Sequence, residues 1–587
     1  MKFFLLLFIF STSLFSKDII AVYRLNHVVG ETLPEPGINE ILSKEKVRRL
    51  NFMQLLSCMN YCVSKDDVKA VVIYPEGMRL GLAQKQELNR RIQEVKKAGK
   101  QVYLYAYGLN ETTLPLAQST QVSLFPQGDV SFRGIAMQQF YFKGLLDKLG
   151  LQADIIHIGD YKSAGEPFYL SGPSQEAAKQ QQTLGEQIFE EITADCAVGE
   201  RKSAAEYAKL IDKGLFSPEE ALEANLVDSL EYHNDFIKRL KKQYGDAKFK
   251  RNYGLPKSFE APQIKNMMDA FSFLQKLSAP KKEAKGDVIA LVNLDGTIEA
   301  VMAEKLRRYI LRAAQNDKVK AMVLRINSPG GSALASEVIC HATKVFKDAG
   351  KVFVVSMANV AASGGYYAAV YGEPIFAENA TITGSIGVIG GKMVTSSLLE
   401  KIGISTHQVK IGKFSDLHST TSFFDEAQRE VVTESMLRVY DVFKQRVSEG
   451  RKDKLKGELE SMAGGRVFTG RRAKELGLVD KIGGLREAIR EAQDQASLAK
   501  YRLEVYPKQL SFEEMILESF QPQKEEEELI SMAPMQRLSY KNIFLNKMIA
   551  GMEIHSPELA LHIGKFLQYI NLLQSQNVLL LDPRWAH

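Results

Sequence analysis

The sequence predicts an α/β protein built as two tandem repeats of parallel βα units, and three observations carry that expectation. First, short β-branched runs alternate with helical patterns. AMVLRI is followed by a Gly-rich turn, a helical stretch over 333–347 and the strand VFVVSM. Strand, helix, strand in succession implies parallel βα units with their sites at the strand ends. Second, segments recur in order at a nearly fixed shift. DVKAVVIY from Asp67 returns as KVKAMVLR from Lys318, 251 residues on, and AGK at 98–100 returns at 349–351, again by 251. LLDKLG from Leu145 pairs with LLEKIG from Leu398 at a shift of 253, and ANLVD from Ala224 with LGLVD from Leu476 at 252. Third, each repeat opens on an apolar strand, IIAVYRL from Ile19 and VIALVNL from Val288. That shift is 269, so repeat 1 carries about 18 extra residues, placed near Glu40 to Tyr61.

Taken in order, residues 1–17 read as a signal peptide or short membrane anchor: Lys2, an uncharged run from Phe3 to Ser16, then Lys17 and Asp18. A helix over that run spans about 21 Å, short of the roughly 30 Å of a hydrocarbon core. Ser11 and Ser13 satisfy a small-x-small cleavage rule, and cleavage or retention both put the bulk of the chain outside the cytoplasm. Repeat 1 follows over 18–279, a Pro/Lys/Gly-rich linker over 280–286, and repeat 2 over 287–521. Residues 522–587 hold an acidic run at Glu525–Glu528 and apolar stretches such as NVLLLDP, with no counterpart in either repeat. Docked helices and a partner-binding element are both open for this tail. Net charge is +6 over 587 residues, with no basic cluster interleaved with aromatics, so no nucleic-acid partner is expected. The four cysteines form no C-x-x-C pair and no Cys/His cluster with zinc spacing, so neither a metal nor a cofactor is expected. Cys58 and Cys62 are expected to pack in a helix.

Chemistry is expected at ANVAASGGYYAAV (358–370), where Ser363 sits at a strand-to-helix junction between small residues. A serine becomes a nucleophile only with a base and with donors for the oxyanion. RINSPGGS (325–332) ends a strand in a turn whose Gly331 or Gly330 amide, with the Gly364 amide, makes an oxyanion hole. TITGSIGVIGG (381–391) brings a further Gly-rich loop carrying Ser385. For the base, His341, His407 and His418 lie in repeat 2 without an evident Asp orienter, and lysine is the alternative. HIGDYKSAGEPF (157–168) carries Lys162, whose counterpart in repeat 2 is Ser415, while Thr112 stands in repeat 1 where Ser363 would be. Each repeat lacks what the other has, so one site per chain is expected.

On NSPGGS, AASGGYY, TGSIG, GDYKSAGEPF and the tandem layout, the chain resembles signal peptide peptidases of the long, two-repeat, membrane-associated protease IV type. These are relatives of the Clp protease subunits and of the crotonase fold. The resemblance implies two crotonase/Clp-protease-like spirals and a serine peptidase with a Ser-Lys dyad. It implies Ser363 as nucleophile, Lys162 as general base, Ser385 as the hydroxyl orienting the lysine, and the Gly331 and Gly364 amides as oxyanion hole. It further implies a homo-oligomer, a tetramer-like ring, that degrades small or unfolded peptides such as cleaved signal peptides. The expected location is the inner membrane, on its extracytoplasmic, periplasmic face. The lysine must be neutral to act, so Asp160 and Glu166 are expected to face away from it. Two other readings stand beside this one. A crotonase-like acyl-CoA hydratase or isomerase would not need the Ser363 and Lys162 pair, and a Ser-His peptidase would use His407 or His418.

Overall fold

The computed structural model describes residues 18–28, 30–32, 50–245, 247–255, 286–507 and 579–581. The leader at 1–17, the linker up to 285 and the acidic run lie outside the described residues. The chain forms two compact units: Met1–Leu80, Leu88–Gly134 and Ile192–Pro256 make one, and Gly81–Glu87, Ile135–Glu191 and Lys257–His587 the other.

In the first unit, six strands form one parallel sheet in the order Ser229–Leu230, Gln121–Leu124, Gln101–Ala106, Val68–Tyr74, Ile19–Arg24, Lys248–Arg251. Its central strands are apolar on both faces, as a sheet covered on both sides requires. The helix Phe52–Ser64 is the counterpart, at the 251-residue shift, of Ala300–Gln315 in repeat 2, so the extra residues of repeat 1 fall before it, between Arg24 and Phe52. It starts with a capping box in which the Asn51 side chain accepts from the Gln54 amide and Gln54 accepts from the Asn51 amide. Cys58 and Cys62 lie in this helix as free, buried thiols. Burial pushes the Cys58 thiol up to about 12, which keeps it protonated and inert.

In the second unit the main sheet runs Val467–Thr469, Ile382–Gly384, Val352–Ala362, Val319–Ser328, Val288–Asp295, Arg502–Tyr506. Ile375–Ala377 pairs with the near end of Val352–Ala362, and Lys481–Ile482 continues from it. All these pairs are parallel except Ile382–Gly384 with Val467–Thr469. The internal repetition is visible at the level of hydrogen bonds. Between Ile19 and Ile20 the pairing skips Lys69, and between Val288 and Ile289 it skips Lys320, so both repeats carry the same irregularity at the same place. The chain is therefore a tandem of two βα repeats, as the 251-residue shift predicts.

A second, four-stranded antiparallel sheet in this unit runs Gly330–Ser332, Leu579–Leu581, Val388–Val394, Gln152–Ile158. Gln152–Ile158 pairs with Val388–Val394 along all seven of its residues. That strand explains why the compact units divide the chain differently from the sequence repeats. Residues 135–191 belong to repeat 1 by sequence but complete the sheet of the second unit, and Lys162 goes with them.

Candidate active site

Ser363 is delivered by the long strand Val352–Ala362, which in repeat 1 corresponds to the six-residue strand Gln101–Ala106. The five extra residues carry the chain to the sheet's C-terminal end, where Ser363 turns it directly into the helix Gly364–Ala369. To make that turn Ser363 adopts φ 54°, ψ −116°, a conformation that strains any residue with a Cβ by about 1–3 kcal/mol. The surroundings hold it there. Its amide donates to the Gly384 carbonyl at 2.8 Å, and its own carbonyl accepts from the Tyr367 amide at 2.9 Å. Every residue of the helix is buried, with Tyr366 Oη donating to the Leu478 carbonyl at 3.0 Å and Tyr367 Oη to Glu337 at 2.6 Å.

Lys162 arrives on the loop after Gln152–Ile158 and opens the short 3-10 turn Ser163–Gly165. Its Nζ lies 2.8 Å from Ser363 Oγ, 2.9 Å from Ser385 Oγ and 3.0 Å from the Ser385 carbonyl. All three residues are buried, Lys162 at 1% exposure and both serines at 0%. The neighbouring carboxyls face elsewhere, as expected of a lysine that works neutral. Glu166 accepts from the amide and the hydroxyl of Ser174 at 3.1 and 2.6 Å, and Asp160 is exposed.

The glycine turn meets the serine from the other side. A Cβ built on Gly364 would stand 2.4 Å from Ser336 Oγ and 3.3 Å from the Gly331 amide nitrogen, so only glycine lets these two segments approach. The Ile298 amide donates to the Gly330 carbonyl, and the Ser332 amide donates to the Ile298 carbonyl. Groups on a strand alternate in direction, so the N–H and C=O of Gly331 itself point to the opposite side, away from Ile298. The Gly364 amide is in the first turn of its helix, where N–H groups have no partner within the helix.

The three histidines of repeat 2, His341, His407 and His418, are all exposed. Thr112 is exposed and bonds to Asn110, and Ser415 is exposed and donates to the Gly412 carbonyl. One contributor went unread in the sequence, the loop Gly464–Arg466. The Gly464 carbonyl accepts from the Tyr161 amide at 2.9 Å, the Arg466 carbonyl from the Ser385 amide at 2.6 Å, and the Gly465 amide donates to Ile386 at 2.8 Å. This one loop pins the backbones that carry Lys162 and Ser385. Its only signal in sequence is the pair of glycines ahead of RVFT. Among the described residues no cluster of acidic, His or Cys side chains could hold a metal.

Comparison with known proteins decides the family. The model of peptidase family S49 matches twice, over residues 94–246 and 345–499, and that of the Clp protease over 288–398. A relative named Protease 4 from Salmonella typhi is 30% identical over 449 residues, covering 74% of this chain and 70% of its own.

The chain belongs to peptidase family S49.

Another S49 relative, the chloroplastic serine protease SPPA of Arabidopsis thaliana, is 29% identical over 73% of this chain, and the match spans 64% of its own length. A protein of Enterococcus faecium named for signal peptide peptidase is 35% identical over 32% of this chain and 55% of its own. The S49 chain is thus a serine peptidase with a Clp-protease-like α/β fold, and the acyl-CoA reading is set aside. The family match falls on both repeats, whereas the Clp match falls on the half that carries Ser363.

Proposed function

We propose that this S49 peptidase works through a Ser-Lys dyad, with Ser363 as nucleophile and Lys162 as general base. The observation that carries the reading is the 2.8 Å contact between the buried Lys162 Nζ and Ser363 Oγ. Burial favours the neutral amine over the ammonium. A neutral amine has two N–H groups and one lone pair. Donating the two N–H groups to Ser385 Oγ and the Ser385 carbonyl aims the lone pair at Ser363 Oγ. Ser385 is then the residue that orients the base.

The reaction runs in two halves. Lys162 takes the Ser363 proton as Oγ attacks a peptide carbonyl, and the Gly331 and Gly364 amides hold the oxyanion. As the C–N bond breaks, the lysine passes the proton to the leaving amine and an ester remains on Ser363. Water, deprotonated by the same lysine, then hydrolyses that ester. Substrates are small or unfolded peptides, including spent signal peptides, since the site needs an extended chain beside the Gly330–Ser332 strand. The uncharged run Phe3–Ser16 supports work at the periplasmic face of the inner membrane, and we assign a homo-oligomeric, tetramer-like ring on the family resemblance.

The test is peptide hydrolysis by Ser363→Ala and Lys162→Met, each checked for native folding. Both are expected to fall to background, a loss of at least about 10²–10⁴ for the base alone. Turnover that survives in either variant overturns the dyad. A fluorophosphonate probe should label wild type at Ser363 and leave Ser363→Ala unlabelled.

A further inference from the structure

The loop Gly464–Arg466 runs straight into Val467–Thr469, the last strand in the order of the second unit's main sheet. One edge of this strand pairs with Ile382–Gly384, and the helix Gln175–Ala197 lies against it from elsewhere in the unit. The Gln180 carboxamide accepts from the Val467 amide and donates to the Val467 carbonyl, both at 3.1 Å. A carboxamide carries the same donor and acceptor as a peptide group, so Gln180 stands in for a neighbouring strand. The helix makes two more contacts in order: Gln187 Oε1 accepts from Thr469 Oγ1 at 3.1 Å, and the buried Glu191 accepts from Arg471 at 2.9 Å. Gln180 differs from both in what lies behind its partner. The Val467 N–H and the Arg466 C=O belong to one planar peptide group. That carbonyl is the one that accepts from the Ser385 amide at 2.6 Å. A single peptide plane is therefore held from two sides, by Gln180 at its N–H and by Ser385 at its C=O.

We propose that Gln180 is a positioning residue of the peptidase: it fixes the Arg466–Val467 peptide plane, through it the Ser385 backbone, and so the two acceptors that aim the Lys162 amine. The proposal rests on the Ser-Lys reading and adds to it a residue that acts through others. The route is short, since Gln180, the peptide plane, Ser385 and Lys162 follow one another through hydrogen bonds of 3.1, 2.6 and 2.9 Å. A peptide plane that loses one of two opposed bonds is free to tilt, and a tilt carries the Ser385 amide with it. Small displacements matter, because a catalytic constellation has to be held within about 0.5 Å. Gln180 also follows Lys162 on the same segment, whose Tyr161 amide donates to the Gly464 carbonyl. The base-bearing segment thus grips the clamp loop ahead of Gly465 and again behind it.

The test compares full-length Gln180→Leu, Gln180→Glu and Gln187→Leu by peptide hydrolysis and by the rate at which a fluorophosphonate labels Ser363 across pH. Gln180→Leu removes both bonds to Val467, whereas Gln180→Glu keeps the acceptor for the Val467 N–H. Gln187→Leu removes a contact of the same helix that leads to Thr469 instead of the clamp loop. Gln180→Leu is expected to lose about tenfold in kcat with KM little changed, in line with one or two hydrogen bonds. Its labelling midpoint should move up in pH toward that of free lysine, because a loosened Ser385 holds the neutral amine less well. Gln180→Glu should recover most of the loss and return the midpoint, and Gln187→Leu should lower Tm while leaving the midpoint in place. Gln180→Ala, which cannot overpack, takes the place of Gln180→Leu should the latter fail to fold. A wild-type kcat or an unmoved midpoint on losing the Gln180 carboxamide overturns the proposal. So does a Gln187→Leu that shifts the midpoint equally, or a Gln180→Glu no better than Gln180→Leu. Failure of the dyad reading looks different, with Lys162→Met labelled as fast as wild type whatever stands at position 180.

Discussion

At the scale of the residue, the site is a set of contacts that tolerate little displacement. Ser385→Ala removes one acceptor from Lys162 and leaves the Ser385 carbonyl in place, so a loss of about tenfold in kcat is expected, in line with one hydrogen bond. A purely structural role would not move the pH profile, and this variant should move it, because the hydroxyl acts on the titrating amine. In wild type, activity should rise with pH through an apparent pKa below the free-lysine value of about 10.4. His407→Ala, altering an exposed side chain, should leave that profile unchanged. Gly364→Ala should cut turnover sharply because its Cβ would meet Ser336 Oγ, and adding Ser336→Ala should recover part of it. Recovery measured as kcat of the double variant against the single one checks the packing account. The residues themselves were readable from sequence because each sits in a short Gly-rich or small-residue stretch at a strand end. The Gly464–Arg466 loop was not, since it acts only through backbone groups that any sequence possesses.

At the scale of the element, the strand Gln152–Ile158 sets where the base stands. A Cβ on Gly391 would lie 2.3 Å from the Asp154 carbonyl oxygen, so Gly391→Val should pry this strand from Val388–Val394. Peptidase activity should then drop to near background while far-ultraviolet circular dichroism keeps the signal of the two main sheets. A second element-level constraint is the end of the helix Glu426–Arg451, where buried Arg451 donates to both Asp480 oxygens at 2.9 and 2.7 Å. Burial alone would raise the Asp480 carboxyl, but the Arg451 guanidinium outweighs it and holds the group below the usual carboxylate range. A depressed carboxyl contributes stability above its unfolded pKa and loses it as pH falls through the folded value. Thermal stability should therefore decline below about pH 4, and Asp480→Asn should flatten that acid limb while lowering the plateau at neutral pH. The alternation of β-branched runs and helical patterns made most elements of the parallel sheets legible. Gln152–Ile158 escaped assignment to its unit because its partners lie 230 or more residues away and periodicity carries no pairing information.

At the scale of the whole molecule, the tandem repeat divides labour between its copies. Lys162 and Ser363 belong to different repeats by sequence yet to the same compact unit and the same chain. Mixing full-length Ser363→Ala with full-length Lys162→Met under conditions of demonstrated subunit exchange should restore no activity, because each site draws both groups from one chain. Restored cleavage in that mixture would show the dyad closing between chains instead. The internal shifts made the duplication legible, down to the shared irregularity at Lys69 and Lys320. They could not foretell which pieces of repeat 1 the second unit would claim, since that depends on sheet edges formed only in three dimensions.

The 201 residues that separate Lys162 from Ser363 also set a clock during synthesis. At about 5–20 residues per second, the interval between the emergence of Lys162 and that of Gly465, whose loop clamps both flanks of the site, is roughly 15–60 s. Until then the lysine has left the ribosome without its serine, and the serine later emerges before the loop that fixes its partner. A peptidase built this way is unarmed for as long as it is itself unfolded, because the lysine, the serine and the loop that clamps their backbones come together only in the finished fold.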